Sequence, residues 1–259
     1  MPINFMDNTW PELKEYIKKN ALIILPVAQV EEHGPHLPVG CDTFIGSKIA
    51  QLVSEELNKI IPTLLMPAVW AGYSPIKMMK WPGTIRIKTK TVCEYVHDII
   101  ASLCEMGFKK IVIIDSHGQH RGILEVAIRE IADEYNVYCA LTNPVTLSSE
   151  KYSKIRKTGL GGSTHAGELE TSLLMTMGYK IDLNKATDED KLNFSTDFFT
   201  ADAIGNKKYF ISTWGIQESN SGIYGAPLKS NPETGKILLE EIVRNYVKLC
   251  KEYWNIKTC

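Results

Sequence analysis

The chain has 259 residues, 44% of them hydrophobic and 23% charged, with 29 Lys and Arg against 30 Asp and Glu for a formal net charge of -1. That balance gives no electrostatic basis for binding nucleic acid or an anionic membrane surface, and no run approaches the ~20 apolar residues of a membrane span. The length suits one α/β domain over residues 1–259, and the expected partner is a small molecule.

The first twenty residues mix acidic and basic side chains, so neither a signal nor a transit peptide is expected, and the location is expected to be cytoplasmic. Residues 10–19 suggest a short first helix. Residues 21–27, ALIILPV, read as a buried strand. Residues 43–60 carry Ile45, Ile49, Leu52, Val53 and Leu57 at helical spacing. Between them lies VEEHGPHLPVGCD, residues 30–42, at the handover from strand to helix. Open α/β folds place their ligands at that sheet edge.

Alternation along an extended backbone sends Glu31 and His33 to one side and Glu32 to the other. Asp42 returns nine positions after His33 at the helix start. A hard oxygen, an imidazole nitrogen and a second carboxylate able to bridge suit zinc, manganese, iron or cobalt better than calcium. Taken singly, Asp42 fits a helix N-cap and His36 a loop histidine on a backbone hydrogen bond. Taken together at a strand end, Glu31, His33 and Asp42 favour a metal site.

A second strand is expected over 63–70. The glycine-, proline- and aromatic-rich stretch 71–85 then reads as a loop able to wall a pocket. Residues 89–108 form a patterned helix with Gly107 as its stop, and His97 within it has no chemical role. The clearest strand is 109–115, KKIVIID, which runs into SHGQHRG and a helix over 123–135. This repeats the arrangement of the first motif, so His117 is expected as a ligand, with His120 and Arg121 placed to contact substrate.

A strand over 136–142 and a polar helix over 148–157 follow. Then GLGGST leads into HAGELETSLLMTMGY, which reads as a helix opening at His165. Positions three apart share a helix face and positions two apart do not. Glu168 is therefore the expected metal carboxylate beside His165, with Glu170 as the fallback. A favourable charge in a helix's first turn is the structural alternative for Glu168. Residues 182–210 are polar with no clear element, SGIYGAP follows at 221–227, and a terminal helix runs over 232–254.

The six cysteines, Cys41, Cys93, Cys104, Cys139, Cys250 and Cys259, form no CxxC pair and are expected as reduced thiols. Cys41 stands apart because it lies inside the first motif. A nucleophile there would lack a histidine with an evident role as its base.

The segments VEEHGPHLPVGCD, KWPGTI, VIIDSHGQH, HAGELETS and SGIYGAP occur in the order of the signature segments of the creatininase (creatinine amidohydrolase) family, and the resemblance spans about residues 25–235. It implies an α/β fold with a central, largely parallel sheet flanked by helices, a homohexamer, and two divalent metal ions, zinc first with Mn2+ or Fe2+ as alternatives. By resemblance Glu31, His33, Asp42 and His117 match metal-ligand positions, Asp42 is the bridge, and His165 is the proton donor. Two departures stand out. Gln119 occupies the place of a metal-binding glutamate of creatininase, which favours Glu168. SPIKMMK precedes WPGT where many relatives carry a histidine, so Lys77 and the two methionines imply a different pocket wall and argue against creatinine as substrate, and Lys77, Trp81 and His36 join His120 and Arg121 as expected substrate contacts.

Two divalent ions would be neutralised by Glu31, Asp42, Glu168 and one hydroxide, which suits a dry site. The expected reaction is hydrolytic opening of a small cyclic amide or ring ketone, with His165 protonating the leaving atom. The alternative is C–C cleavage of an oxidised inositol ring, as in the 3-dehydro-scyllo-inosose hydrolase branch. Formamide deformylation, a mononuclear iron oxygenase and a non-catalytic metal-stabilised protein rank below these.

Overall fold

Two apolar runs set the middle of the molecule. β1 (Leu22–Val27) and β3 (Lys110–Asp115) are buried at every position, the pattern of parallel strands covered on both faces. Leu22, Ile24, Val112 and Ile114 pack on one side of the sheet, while Ile23, Leu25, Val27, Ile111 and Ile113 pack on the other. The computed structural model describes residues 1–212 and 217–256. With β2 (Thr63–Leu65) and β4 (Ala140–Thr142), the strands form a fully parallel sheet in the order β2-β1-β3-β4.

Helices cover both faces. α2 (Cys41–Leu57), α5 (Pro144–Ile155), α6 (Glu168–Thr176) and α7 (Pro232–Trp254) supply one core. α1 (Trp10–Lys18), α3 (Thr89–Met106) and α4 (Arg121–Tyr135) supply the other. The topology positions the site. After β1 the chain crosses to one face through α2, and after β3 it crosses to the opposite face through α4. The register pairs Val27 with Asp115, so the two strands end side by side and their connections diverge. A crevice opens where neighbouring connections part in this way.

Several boundaries differ from the sequence reading. α2 starts at Cys41 with Gly40 at the N-cap, so Asp42 is a residue of the first turn and not the cap. α5 starts at Pro144, because the Asn143 side chain accepts from the amides of Val145 and Thr146 and proline suits the first helical position. β2 and β4 are three residues each, shorter than expected. In the segment without expected elements, β5 (Ser195–Thr196) and β6 (Phe199–Thr200) make a short antiparallel hairpin. Phe199 there packs with Met78, Leu192 and Tyr224. Cys259 lies outside the described residues, and the cysteines at 41, 93, 104, 139 and 250 are free thiols. No described helix is long and apolar enough to cross a membrane.

Candidate metal centre

The loop after β1 is folded back on itself by its backbone. The Glu31 amide donates to the Val39 carbonyl at 3.0 Å, the Ile85 amide donates to the Val30 carbonyl, and the Glu32 amide donates to the Thr84 hydroxyl at 3.1 Å. Gly34 sits at φ +67°, and a Cβ there would lie 2.4 Å from Ile223. Only glycine fits that turn. Residues 30–36 are consequently not a strand, and Glu32 does not turn away from Glu31 as alternation predicted.

Asp42 lies between two imidazoles. Its Oδ2 is 2.9 Å from His117 Nδ1 and its Oδ1 is 3.3 Å from His33 Nε2. Placement in the first turn of α2 suits a carboxylate, since the helix N-terminus is electropositive. His33 is oriented by its own loop, with Nδ1 2.9 Å from the Glu31 carbonyl. His117 follows β3, and its amide donates to Asp115 Oδ1 at 3.1 Å. Glu31 Oε2 reaches His117 Nδ1 at 3.8 Å and His165 Nδ1 at 3.6 Å.

Burial decides how this cluster must be read. Glu31 is fully buried and neither of its carboxylate oxygens accepts a hydrogen bond, and His117 Nε2 is likewise unsatisfied. A buried carboxylate without donors is costly unless a cation meets it. Three overlapping groups, Glu31–Asp42–His117, His33–His165–Glu170 and His33–Cys41–Asp42, each bring their donor atoms within 4.8 Å of one another. Oxygen and imidazole donors joined through shared Asp42 and His33 fit a pair of divalent ions.

The charges respond to this crowding. Burial disfavours the His117 cation, yet Glu31 and Asp42 outweigh it and push the group up to about 9. His33 is raised well above the usual imidazole value against the same burial, by Cys41 and Asp42. Asp42 is held far below the carboxylate range because His33 and His117 outweigh the burial that opposes its ionisation. His36 behaves oppositely: burial, with His33 and His165 adding, lowers it to about 4.

His165 comes from the turn before α6. Ala166 has φ 58° and Gly167 is the extended N-cap. The His165 carbonyl accepts from the amides of Tyr224 and Gly225 at 3.1 and 2.8 Å. Gly167 and Gly225 meet backbone to backbone, and a Cβ on Gly225 would lie 2.4 Å from the Gly167 Cα. The segment 221–227 thus straps the His165 turn in place. The ring sits between two carboxylates, with Nε2 3.5 Å from Glu32 Oε1.

Glu168 is the main correction. Its carboxylate accepts from the amides of Lys157 and Thr158 at 2.7 and 2.9 Å and from the Thr158 hydroxyl, and it belongs to none of the ligand groups. The helix begins at Glu168 and not at His165, so the three-residue face relation between them does not exist. Glu170 takes the place beside His33 and His165, with its Oε2 accepting from the Ala166 amide at 2.7 Å.

The expected substrate contacts divide. Arg121 lies on the wall of a cavity of about 430 Å³ that also meets His117, His165 and Glu170, and it pairs with Glu125 at 2.9 Å. His120 is fully buried behind the cluster, where Nε2 accepts from the Tyr73 amide at 3.0 Å, so it is corrected from a substrate contact to a support of the 72–73 loop. Lys77 pairs with Glu218 at 2.5 Å, and Lys80 lies over the Trp81 ring. Neither Lys77 nor Trp81 lines the cavity, because the turn at Ile76–Lys80 is tied to residues 218–219. His36 is buried with Nε2 3.2 Å from the Thr171 hydroxyl and also stands off the cavity.

Sequence reasoning missed Glu32 and two cavity residues, Lys207 and Tyr224. Lys207 has no carboxylate partner among the described residues. Its neighbour Asp202 is already held by both Arg156 Nη atoms at 3.0 and 2.9 Å and by the Gly161 amide at 2.7 Å. Tyr224 had a signal in the SGIYGAP segment, whereas Lys207 had none.

A parallel α/β sheet whose carboxyl edge carries a buried carboxylate–imidazole cluster, opening on a cavity, has the donor set of a divalent-metal protein. The sequence profile of the creatininase family, described as creatinine amidohydrolase, matches residues 6–250. The chain belongs to that family. It is 30% identical over 175 residues to the 3-dehydro-scyllo-inosose hydrolase of Thermotoga maritima, a match covering 66% of this chain and 54% of the relative, so it spans about half of that protein's length. It is 22% identical to the creatinine amidohydrolase of Pseudomonas putida over 94% of both chains. A crystal structure of creatininase superposes with a TM-score of 0.81 at 21% identity over 98% of this chain and 99% of the other, a likeness of fold. Solved creatininases include a manganese form and a zinc–zinc form.

Proposed function

We propose that this chain is a dinuclear metal-dependent hydrolase that opens a small cyclic amide or ring ketone. The observation that carries the reading is Asp42, which offers one carboxylate oxygen to each of two imidazoles beside an unsatisfied buried glutamate. Glu31, Asp42 and His117 would hold one ion, and His33, Asp42 and Glu170 the other, with zinc first and Mn2+ or Fe2+ as alternatives. When bound, such ions polarise a carbonyl and lower the pKa of water toward neutrality.

The remaining work falls to the chain itself. His165, set between Glu31 and Glu32, is placed to hold a proton and deliver it to the departing nitrogen or carbon. Phe199 and Tyr224 close the cavity wall and exclude water, while Lys207 and Arg121 provide cations for the polar end of the substrate. A cyclic amide would open to an amino acid. A ring diketone would open to a keto acid with cleavage of a C–C bond. That second outcome, on an oxidised inositol ring, is the runner-up and rests on the similarity to the Thermotoga protein. A cytoplasmic homohexamer is proposed on family grounds.

The test is metal analysis joined to a turnover screen of cyclic amides, formamides and keto-inositols. Two ions per chain, with ring opening lost on chelation and restored by zinc or manganese, are expected. One ion per chain with oxygen-dependent turnover would overturn the proposal in favour of an oxygenase.

A further inference from the structure

We propose that Cys41 is a thiolate ligand of the ion held at His33, which makes that half of the centre a sulphur-containing site. This rests on reading the cluster as a metal centre and adds to it the identity of one donor.

The placement is specific. Cys41 is the first residue of α2 and is fully buried, immediately before the bridging Asp42. His33, Cys41 and Asp42 bring one donor atom each within 4.8 Å of one another. His33 Nδ1 is committed to the Glu31 carbonyl, so Nε2 is the nitrogen left for an ion, and this buried nitrogen has no hydrogen-bond partner. Asp42 Oδ1 stands 3.3 Å from it. The thiol therefore borders a buried imidazole nitrogen that lacks a hydrogen-bond partner.

Chemistry gives the thiol little else to do there. It is fully buried, closed to an incoming substrate as a free nucleophile. A bound divalent cation displaces the thiol proton outright. Gln119, beside His117 on the cavity wall, is neutral and cannot supply an anionic donor. With Glu31, Asp42 and Glu170, a Cys41 thiolate gives four anionic groups for two divalent ions. A thiolate favours zinc, cadmium or cobalt over manganese and magnesium.

The test uses the full chain stripped with a chelator and reloaded with Co2+ or Zn2+. Cobalt loading should produce a near-ultraviolet thiolate-to-metal charge-transfer band, and Cys41→Ser should remove it while still binding cobalt. X-ray absorption of the zinc form should show a sulphur scatterer at about 2.3 Å beside lighter atoms at about 2.0–2.1 Å. Cys41→Ser should also reduce the preference for zinc over manganese at least tenfold. Ions bound with no sulphur in the shell, or a band of equal strength in Cys41→Ser, would overturn the inference and leave the metal centre standing. Failure to bind any ion would sink both. Should the variant not fold, the wild-type absorption spectrum decides alone, because no other described cysteine belongs to a ligand group.

Discussion

Asp42 and His117, 75 positions apart in sequence, meet at 2.9 Å inside the protein. One belongs to the first turn of α2 and the other to the loop after β3, and the side-by-side ends of β1 and β3 bring them together.

The first consequence concerns His117. In His117→Ala, Glu31 and Asp42 remain buried without their imidazole, so one ion and the activity should be lost together. Elemental analysis of the purified variant checks this. Two ions per chain in that variant would remove His117 from the ligands.

Glu168 and Glu170 should separate cleanly. Glu168→Gln weakens the carboxylate that accepts the Lys157 and Thr158 donors, so a loss of about 2–3 kcal/mol in unfolding free energy is expected with metal content kept. Glu170→Gln should lower metal content and activity with a smaller effect on stability. Denaturant unfolding and metal analysis of the pair measure both, and the reverse pattern would restore Glu168 as the ligand.

The metal-free protein should lose stability at alkaline pH. His117 is held up to about 9 in the fold and titrates near ~6.5 when unfolded. Its protonated form therefore stabilises the fold fully below about pH 6.5, and that contribution, on the order of 3 kcal/mol, is lost as pH rises through about 9. His36 gives the acid limb: its fold value of about 4 means a contribution present above about pH 6.5 and lost as pH falls through about 4. Thermal unfolding of chelated protein from pH 4 to 10 would show a dome, and added zinc should flatten the alkaline side by displacing the His117 proton. A flat metal-free profile would contradict both assignments.

Glu32 acts through His165. Glu32→Gln keeps the shape but removes the carboxylate 3.5 Å from His165 Nε2, so kcat should fall while KM and metal content stay unchanged. An unchanged kcat would leave Glu32 a purely structural role in accepting from the Gly34 amide.

Lys207 should set substrate preference. Lys207→Met should raise KM for carboxylate-bearing substrates by roughly tenfold or more, the scale of one charge-assisted hydrogen bond, with little change for matched carboxamides. Equal effects on both would show that the cation does not read the substrate.

Much was legible before the fold. The strands at 21–27 and 109–115 stood out because strands buried on both faces are continuous apolar runs, and both motifs followed such runs. The gathering of Glu31, His33, Asp42 and His117 was legible because three of them follow a strand and Asp42 opens the helix after the first motif. Glu168 misled because a helix pattern does not mark its first residue. The positive φ of Ala166 and the extended Gly167 delay α6 until Glu168. That change of start sends Glu170 to the cluster and turns Glu168 to the 157–158 amides. Glu32 was misplaced because a loop turned by Gly34 does not alternate.

The sequence by itself determined the α/β class, the sheet edge that carries the site and the family, since these depend on apolar periodicity and contiguous motifs. Only the tertiary structure decided that His120 is packed away, that Lys77 and Trp81 lie off the cavity, that Glu170 and not Glu168 sits beside His33 and His165, and that Lys207 lines the cavity. Those assignments depend on which segments distant in sequence pack together, and on which donors other groups have already claimed.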